Sequence, residues 1–383
     1  MLFPMGWFNK VFEEINLRFF NYSSNSIQQQ LSNEQLIENA LGWFRHSAYE
    51  NCYASKYSML WNKYFSPLPE SAAGWITTLI KIKKKYPHLY SKTFGETSPE
   101  KHIADWLLTV QRPDGTFASS YDNVADQPPA VFANGCVISG LIALYTEHKD
   151  EKILAAILKS AEWLLTMQQP DGSWRHYTFN VPHANTMTAY ALIRSGELLN
   201  NERFINAGKN KIFYTLRHQN ENGSFTETTS VQPTRPKTIY HYSDIIAYTL
   251  TGMLLSAAIL KDERLTGAVI KGYDALFNLL GSDGYLPGEI NDEFKTTVNY
   301  CCLPGNCLLS STGMLLYKKT GNEIYKNAAE KLIDYVKEKQ LRSKHSYLEG
   351  GIPASWPISG KYFPYEINST GERLFVEALM ELG

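Results

Sequence analysis

The sequence carries almost no net charge: 37 Lys and Arg stand against 38 Asp and Glu, leaving −1 at pH 7. Without an excess of either sign there is no electrostatic pull toward nucleic acid or an anionic membrane, and no nucleic-acid partner is expected. Cysteine is scarce as well. Five residues (Cys52, Cys136, Cys301, Cys302 and Cys307), unevenly spaced, do not make a disulfide framework. Cys301 and Cys302 are adjacent, a poor arrangement for two ligands of one tetrahedral zinc, and no second Cys-x-x-Cys or Cys-His pair follows. These cysteines read as small buried hydrophobes, and neither a metal nor another cofactor is expected. Strand signals are sparse, and no Gly-x-Gly-x-x-Gly or P-loop phrase is present to hold a nucleotide. The N-terminus has no basic leader, sustained apolar run or small-residue cleavage site, so secretion is not expected and the chain is read as cytoplasmic. The most apolar stretch, 245–260, is shorter than the roughly 20 residues that cross a bilayer. Because it lacks a polar face, it is expected to be a helix buried within the fold.

What the sequence does have is a repeated phrase. Gln111-Arg-Pro-Asp-Gly-Thr-Phe117, Gln168-Gln-Pro-Asp-Gly-Ser-Trp174 and Gln219-Asn-Glu-Asn-Gly-Ser-Phe225 share one pattern, Gln-x-x-Asp/Asn-Gly-Ser/Thr-aromatic. Gly281-Ser-Asp-Gly-Tyr285 is a worn copy and Glu349-Gly-Gly351 a fifth trace. The shared glycines, Gly115, Gly172, Gly223, Gly284 and Gly350, are 57, 51, 61 and 66 residues apart, a step long enough for a pair of helices. Each copy follows a segment with helical spacing of apolar residues, as in 151–168, where Leu154, Ile157, Leu158, Ala161, Leu164 and Leu165 share one side. The glycine suits the left-handed backbone that ends a helix, and the Asp or Asn closes a turn.

Alternating outer and inner helices follow from this period. Outer helices are predicted at about 34–47, 99–111, 151–168, 202–219, 262–280 and 322–340, and inner ones at about 70–85, 134–147, 184–199, 244–260, 306–319 and 368–382. Six hairpins of this kind predict an all-α, (α/α)6 toroid over residues 31–383, with 1–30 as an N-terminal helical extension. The stretch Trp7 to Phe20 within that extension is amphipathic; it is read as packing across one end of the domain, with peripheral contact to a membrane surface as the alternative. Links from inner to outer helices are tight, whereas those from outer to inner run to about 15–27 residues, far beyond the usual roughly 2–8. Long loops gathered at one end mark the working face.

Candidate residues are those at the starts of the inner helices. Glu70 and Asp244 are carboxylates suited to acid–base work on a glycosidic bond, which commonly takes two such groups, and His183 is suited to assist near neutral pH. Tyr240 and His241 crowd the run that ends at Asp244, and Tyr300 precedes the cysteine pair. Trp356, Tyr362 and Tyr365 stand among the prolines and glycines of the last loop, followed by Asn368. With Trp75 and Asn185, these side chains are expected to bind substrate, aromatic rings stacking on sugar faces.

The Gln-x-x-Asp-Gly-Ser-Trp phrase resembles the repeats of squalene and terpene cyclases and of prenyltransferases. The alternating layout is similar to the (α/α)6 toroids of glycoside hydrolases, polysaccharide lyases, N-acylglucosamine epimerases and glucuronyl C5-epimerases. About residues 66–380 further resemble toroid proteins of bacterial surface-polysaccharide gene clusters, through Pro69-Glu-Ser-Ala-Ala-Gly-Trp-Ile76, Val131-Phe-Ala-Asn-Gly-Cys-Val-Ile-Ser-Gly-Leu141, Ile246-Ala-Tyr-Thr-Leu-Thr-Gly252 and Gly351 to Asn368. Glu70 matches that pattern, whereas Ala133, Asp244 and Ser369 stand where it tends to have aspartate, histidine and tryptophan. The resemblance implies a carbohydrate substrate and an enzyme that hydrolyses or eliminates a glycosidic bond in cell-surface polysaccharide metabolism. A uronyl C5-epimerase-like activity and a non-catalytic glycan-binding scaffold are the alternatives. A terpene cyclase or prenyltransferase resemblance implies an Asp-x-Asp-Asp proton donor or an Asp/Cys/His zinc set; the sequence lacks the first, and Cys302 with a loop histidine imitates the second only loosely.

Overall fold

A computed structural model describes residues 31–118, 127–178, 185–226 and 240–383. The expected N-terminal extension, with its membrane-surface alternative, lies outside these residues, as does His183; Tyr240 is described in its backbone alone.

The described residues form thirteen helices. The outer ones are α1 (Asn33–His46), α4 (Pro99–Val110), α6 (Glu151–Met167), α8 (Glu202–Arg217), α10 (Glu263–Phe277) and α12 (Glu323–Lys337). The inner ones are α2 (Pro69–Lys85), α5 (Val131–His148), α7 (Thr186–Leu199), α9 (Ser243–Leu260), α11 (Leu303–Thr320) and α13 (Ser369–Leu382). Each inner helix packs on the next, and α13 returns to α2, so the ring closes as the (α/α)6 toroid that the repeat predicts. A short helix absent from the expected set, α3 (Pro87–Phe94), lies between α2 and α4. Proline suits the first turn of a helix, where its missing N–H costs nothing, and Pro87 opens α3 immediately after Tyr86 ends α2.

The tight turns reuse one device. Lys149, Asn200, Lys261 and Gly321 take left-handed φ values of 54, 50, 52 and 71° and end inner helices. The next residue caps the following outer helix: Asp150, Asn201, Asp262 and Asn322 accept a hydrogen bond from the amide two residues on. Helix α9 is the one described helix long and apolar enough to cross a membrane; 61% of it is buried, and it packs against α7, α10 and α11 inside the ring.

The repeated phrase does two jobs. Asp114, Asp171 and Asn222 each accept hydrogen bonds from the backbone amide and the hydroxyl of the Thr or Ser two residues on, at 2.6–3.1 Å, which closes the turn. Phe117, Trp174 and Phe225 then fold back into the core. The second job is long-range. The Nε2 of Gln111, Gln168 and Gln219 donates both to the phrase's own glycine carbonyl and to a carbonyl of the next outer helix, at Ala156, Ala207 and Ala268. Gln340 repeats this for the last hairpin, donating to Gly350 and, across the seam, to Leu36 of α1 at 3.0 Å. The five glycines have φ between 81 and 95°, and each lies against a backbone carbonyl of the following outer helix.

Among the described residues, nine strands of two or three residues, beginning with the paired β1 (Ala48–Tyr49) and β2 (Cys52–Tyr53), lie in the links from outer to inner helices, at the end called the mouth. The hairpin β3 (Lys56–Ser58) with β4 (Lys63–Phe65) is extended by β9 (Glu366–Asn368), which leads directly into α13. β5 (Tyr240–Tyr242) pairs with β6 (Glu289–Asn291), and β7 (Cys301–Cys302) with β8 (Ser355–Trp356), just before α9 and α11 respectively. The long loops thus brace one another over the starts of the inner helices.

Candidate active site

Inner helices are walled in by the outer ring, so their residual exposure comes from the central channel and its ends. On α2 the exposed stripe is Glu70, Gly74, Thr77 and Lys81; on α5 it begins Phe132, Cys136 and Ser139; on α13 it is Thr370, Arg373 and Glu377. Tyr248 of α9 faces the same space, its ring edge-on to Phe132 at 5.1 Å.

Asp244 sits in the first turn of α9 and is 8% exposed. Its Oδ2 accepts a 2.7 Å hydrogen bond from the Tyr362 hydroxyl, and its Oδ1 accepts from the Ile245 amide at 2.9 Å. Burial penalises the charged form more than these two donors favour it, so the carboxyl is pushed up to about 6. Tyr362 is itself raised well above the ordinary tyrosine range, by burial and then by the charge of Asp244. Tyr242 packs edge-on to Tyr362 at 5.2 Å, and Cys302 is close enough for the charge of Asp244 to raise its thiol further, after burial.

A second buried pair lies beside the first. Tyr300 donates to Glu289 Oε1 at 2.6 Å, and burial followed by that bond drives the phenol far above its ordinary value. Glu289 stands directly opposite Tyr242 in the β5–β6 ladder, hence on the same face. Glu289 was not legible in the sequence, because β6 is only three residues long and no period marks it.

Glu70 lies in the first turn of α2 on the channel side. Its charge, after burial, helps to push the Cys136 thiol up to about 12, while Arg373 works the other way. Below it, Arg373 donates to Glu377 at 2.9 Å and Thr78 to the other Glu377 oxygen at 2.5 Å. Burial works against that carboxylate, but Arg373, Lys81 and Thr78 outweigh it and hold its pKa below the usual range. Arg373 and Glu377 were also missed. Their signal is in the sequence: an i, i+4 ion pair on a helix assigned to the inner ring has no solvent to face except the channel.

Several expected binding residues are placed elsewhere. Trp75 is fully buried, stacked on Phe44 at 3.9 Å and donating from Nε1 to Ser369; it joins helices rather than lining the channel. His241 alternates with Tyr242 along β5 and so faces away from Asp244, where it pairs with Asp292. Tyr300 is buried beneath the mouth with its hydroxyl spent on Glu289. Asn368 caps α13 by accepting from the Gly371 amide at 2.6 Å, and Asn185 is buried at the start of α7. Trp356 is half-buried with Lys339 of the outer layer 5.5 Å from its ring centroid, and Tyr365 is half-buried in the last loop. Among the expected residues, the structure brings Asp244 and Tyr362 into contact at the mouth, with Glu70 on the channel wall.

Cys52, Cys301, Cys302 and Cys307 are buried free thiols, in keeping with their reading as small hydrophobes, whereas Cys136 is partly exposed to the channel. Among the described residues, no group of three or more His, Cys, Asp or Glu side chains is placed to hold a metal ion.

No curated protein matches the sequence. Solved structures do match the fold. The unsaturated glucuronyl hydrolase of Bacillus sp. GL1, described as responsible for the degradation of glycosaminoglycan, superposes with a TM-score of 0.69 at 13% identity, covering 91% of this chain and 96% of that one. The cellobiose 2-epimerase of Bacillus thermoamylovorans gives 0.70 at 13% identity over 93% and 100% of the two chains. A D-mannose isomerase gives 0.71 at 12% identity over 94% and 99%. At such identities the likeness establishes the six-hairpin toroid. The repeat itself carries the family: residues 88–230 and 136–351 match the prenyltransferase alpha-alpha toroid domain, so together they span more than half of the sequence, and the chain belongs to that family.

Proposed function

We propose that the protein is a carbohydrate-active enzyme that hydrolyses a glycosidic bond at the mouth of its toroid. The observation that carries this reading is Asp244: a buried carboxyl, raised to about 6, bonded by Tyr362 where the inner helices open. Near neutral pH such a group exchanges a proton readily. Asp244 gives its proton to the leaving glycosidic oxygen. Water adds at the anomeric carbon, and Glu70 takes the water's proton. The sugar substrates named for the hydrolase, epimerase and isomerase neighbours are in keeping with this reading.

The tyrosines favour hydrolysis over an elimination or epimerisation that uses a tyrosine as its base. Both alternatives remove a proton from carbon and need a base for it. Tyr362 and Tyr300 are held protonated by burial and by the carboxylates they bond, so neither is the tyrosine base that would take a proton from carbon. Cyclisation of a terpene, the activity implied by the other resemblance, lacks the Asp-x-Asp-Asp proton donor.

The test is turnover of bacterial surface polysaccharides by wild type, Asp244→Asn and Glu70→Gln, followed as new reducing ends. Loss of at least about 100-fold in each variant supports the assignment. Full activity in both variants overturns it, and glycan binding without product in wild type favours a scaffold.

A further inference from the structure

Six large hydrophobic side chains are well exposed among the described residues, and all three aromatics among them (Trp61, Tyr177 and Phe363) lie in mouth loops. Trp61 is the most exposed, at 71%. It stands at the tip of the β3–β4 hairpin, which is pinned by a 2.5 Å bond from the Tyr57 hydroxyl to Asn62 and by the left-handed backbone of Asn62. The tip is docked on the last loop: the Met59 amide donates to the Tyr365 carbonyl at 2.8 Å. That loop presents Phe363, 37% exposed, at φ 45°, a conformation that a bulky residue adopts only when its surroundings impose it. Phe363 lies edge-on to Tyr362 at 4.8 Å, and Tyr362 bonds Asp244. The hairpin that carries Trp61 is therefore tied through its backbone to the last loop, and Phe363 of that loop is tied through Tyr362 to the proposed acid.

We propose that Trp61 and Phe363 are stacking platforms for successive sugar rings, so that the enzyme takes a polymeric glycan rather than a free mono- or disaccharide. This rests on the carbohydrate reading above and names the size of its substrate. Rings held singly on pinned loops, with Lys63 and Lys361 close by in sequence, present flat apolar faces between polar groups, as a sugar does with its C–H faces and hydroxyls. Phe363 stands one ring contact from the tyrosine that bonds the acid, and Trp61 stands on the hairpin docked to the same loop.

The experiment uses Asp244→Asn protein, so that chains stay intact, with and without Trp61→Ala or Phe363→Ala. Affinity electrophoresis screens gellan, xanthan, hyaluronan and alginate, and size-fractionated oligosaccharides of the retained polymer are then titrated. Each alanine variant is expected to weaken binding of hexasaccharides and longer chains by about three- to tenfold, and of the disaccharide by less than twofold. Equal weakening at every length, unchanged affinity, or retention of no polymer overturns the proposal. Leu60, exposed beside Trp61, provides a competing outcome: sedimentation with phosphatidylglycerol vesicles that Trp61→Ala abolishes would assign the tip to a membrane and overturn it as well. Cleavage by the parent protein, lost in Asp244→Asn, is scored separately and tests the catalytic assignment whatever the rim does.

Discussion

At the scale of single residues, the proposed chemistry depends on where Asp244 titrates. A general acid is effective while protonated, so kcat/KM is expected to fall about tenfold per pH unit above about 6. Tyr362→Phe removes the donor that favours the charged form, so the carboxyl rises further and this limb moves to higher pH. A limb that stays put or moves down in a pH–rate profile would argue against Asp244 as the acid. Stability gives an independent readout. The folded pKa of about 6 lies above the ordinary 3.8, so the folded state holds the proton more tightly than the unfolded state. Stability from this group is complete below about pH 4 and is lost as pH rises through 6. Asp244→Asn should flatten that slope in urea titrations while abolishing turnover. Asp244 was legible in the sequence because it opens the most apolar helix. Glu289 was not, since its partner Tyr300 is reached only through loop geometry. Trp75 is misleading: a tryptophan five residues beyond Glu70 reads as a cleft residue, yet that spacing turns it about 140° round the helix, onto Phe44 of α1.

At the scale of elements, the repeated phrase is legible in the sequence as a helix stop, but its second role is not. Its turn is local, so Asp, Gly and Ser/Thr at fixed offsets announce it. Its glutamine acts on carbonyls 45, 39 and 49 residues away, which no local pattern reveals. The glycine is confined twice, by a φ of 95° at Gly223 and by the Lys271 carbonyl, which a Cβ would approach to 2.7 Å. Gly223→Ala should therefore cost at least about 2 kcal/mol, the left-handed penalty plus a backbone shift. Gln219→Ala leaves two carbonyls without their donor and should cost about 1–3 kcal/mol. Denaturant midpoints at constant slope measure both. A Gly223→Ala protein as stable as wild type would mean that the turn can move away from α10.

At the scale of the molecule, the fifth phrase matters most, although it is the faintest in sequence: its glutamine, Gln340, precedes Gly350 by ten residues instead of four. Through Gln340 the last hairpin grips α1, 304 residues back in the chain, and Trp43 of α1 donates to the Tyr347 carbonyl at 3.0 Å. An open array of repeats has two ends with a neighbour on one side only, and such ends fray. In the closed ring the first outer helix has partners on both sides. Closure predicts that α1 is protected from hydrogen exchange as strongly as α6 in the middle of the chain, and that both are lost in one denaturant transition. Gln340→Ala, which removes the seam bond without touching any other hairpin, should lower that single transition by about 1–3 kcal/mol. Loss of protection in α1 alone, with α6 unchanged, would instead show that the seam behaves as an ordinary end and that the toroid is held shut by the inner helices.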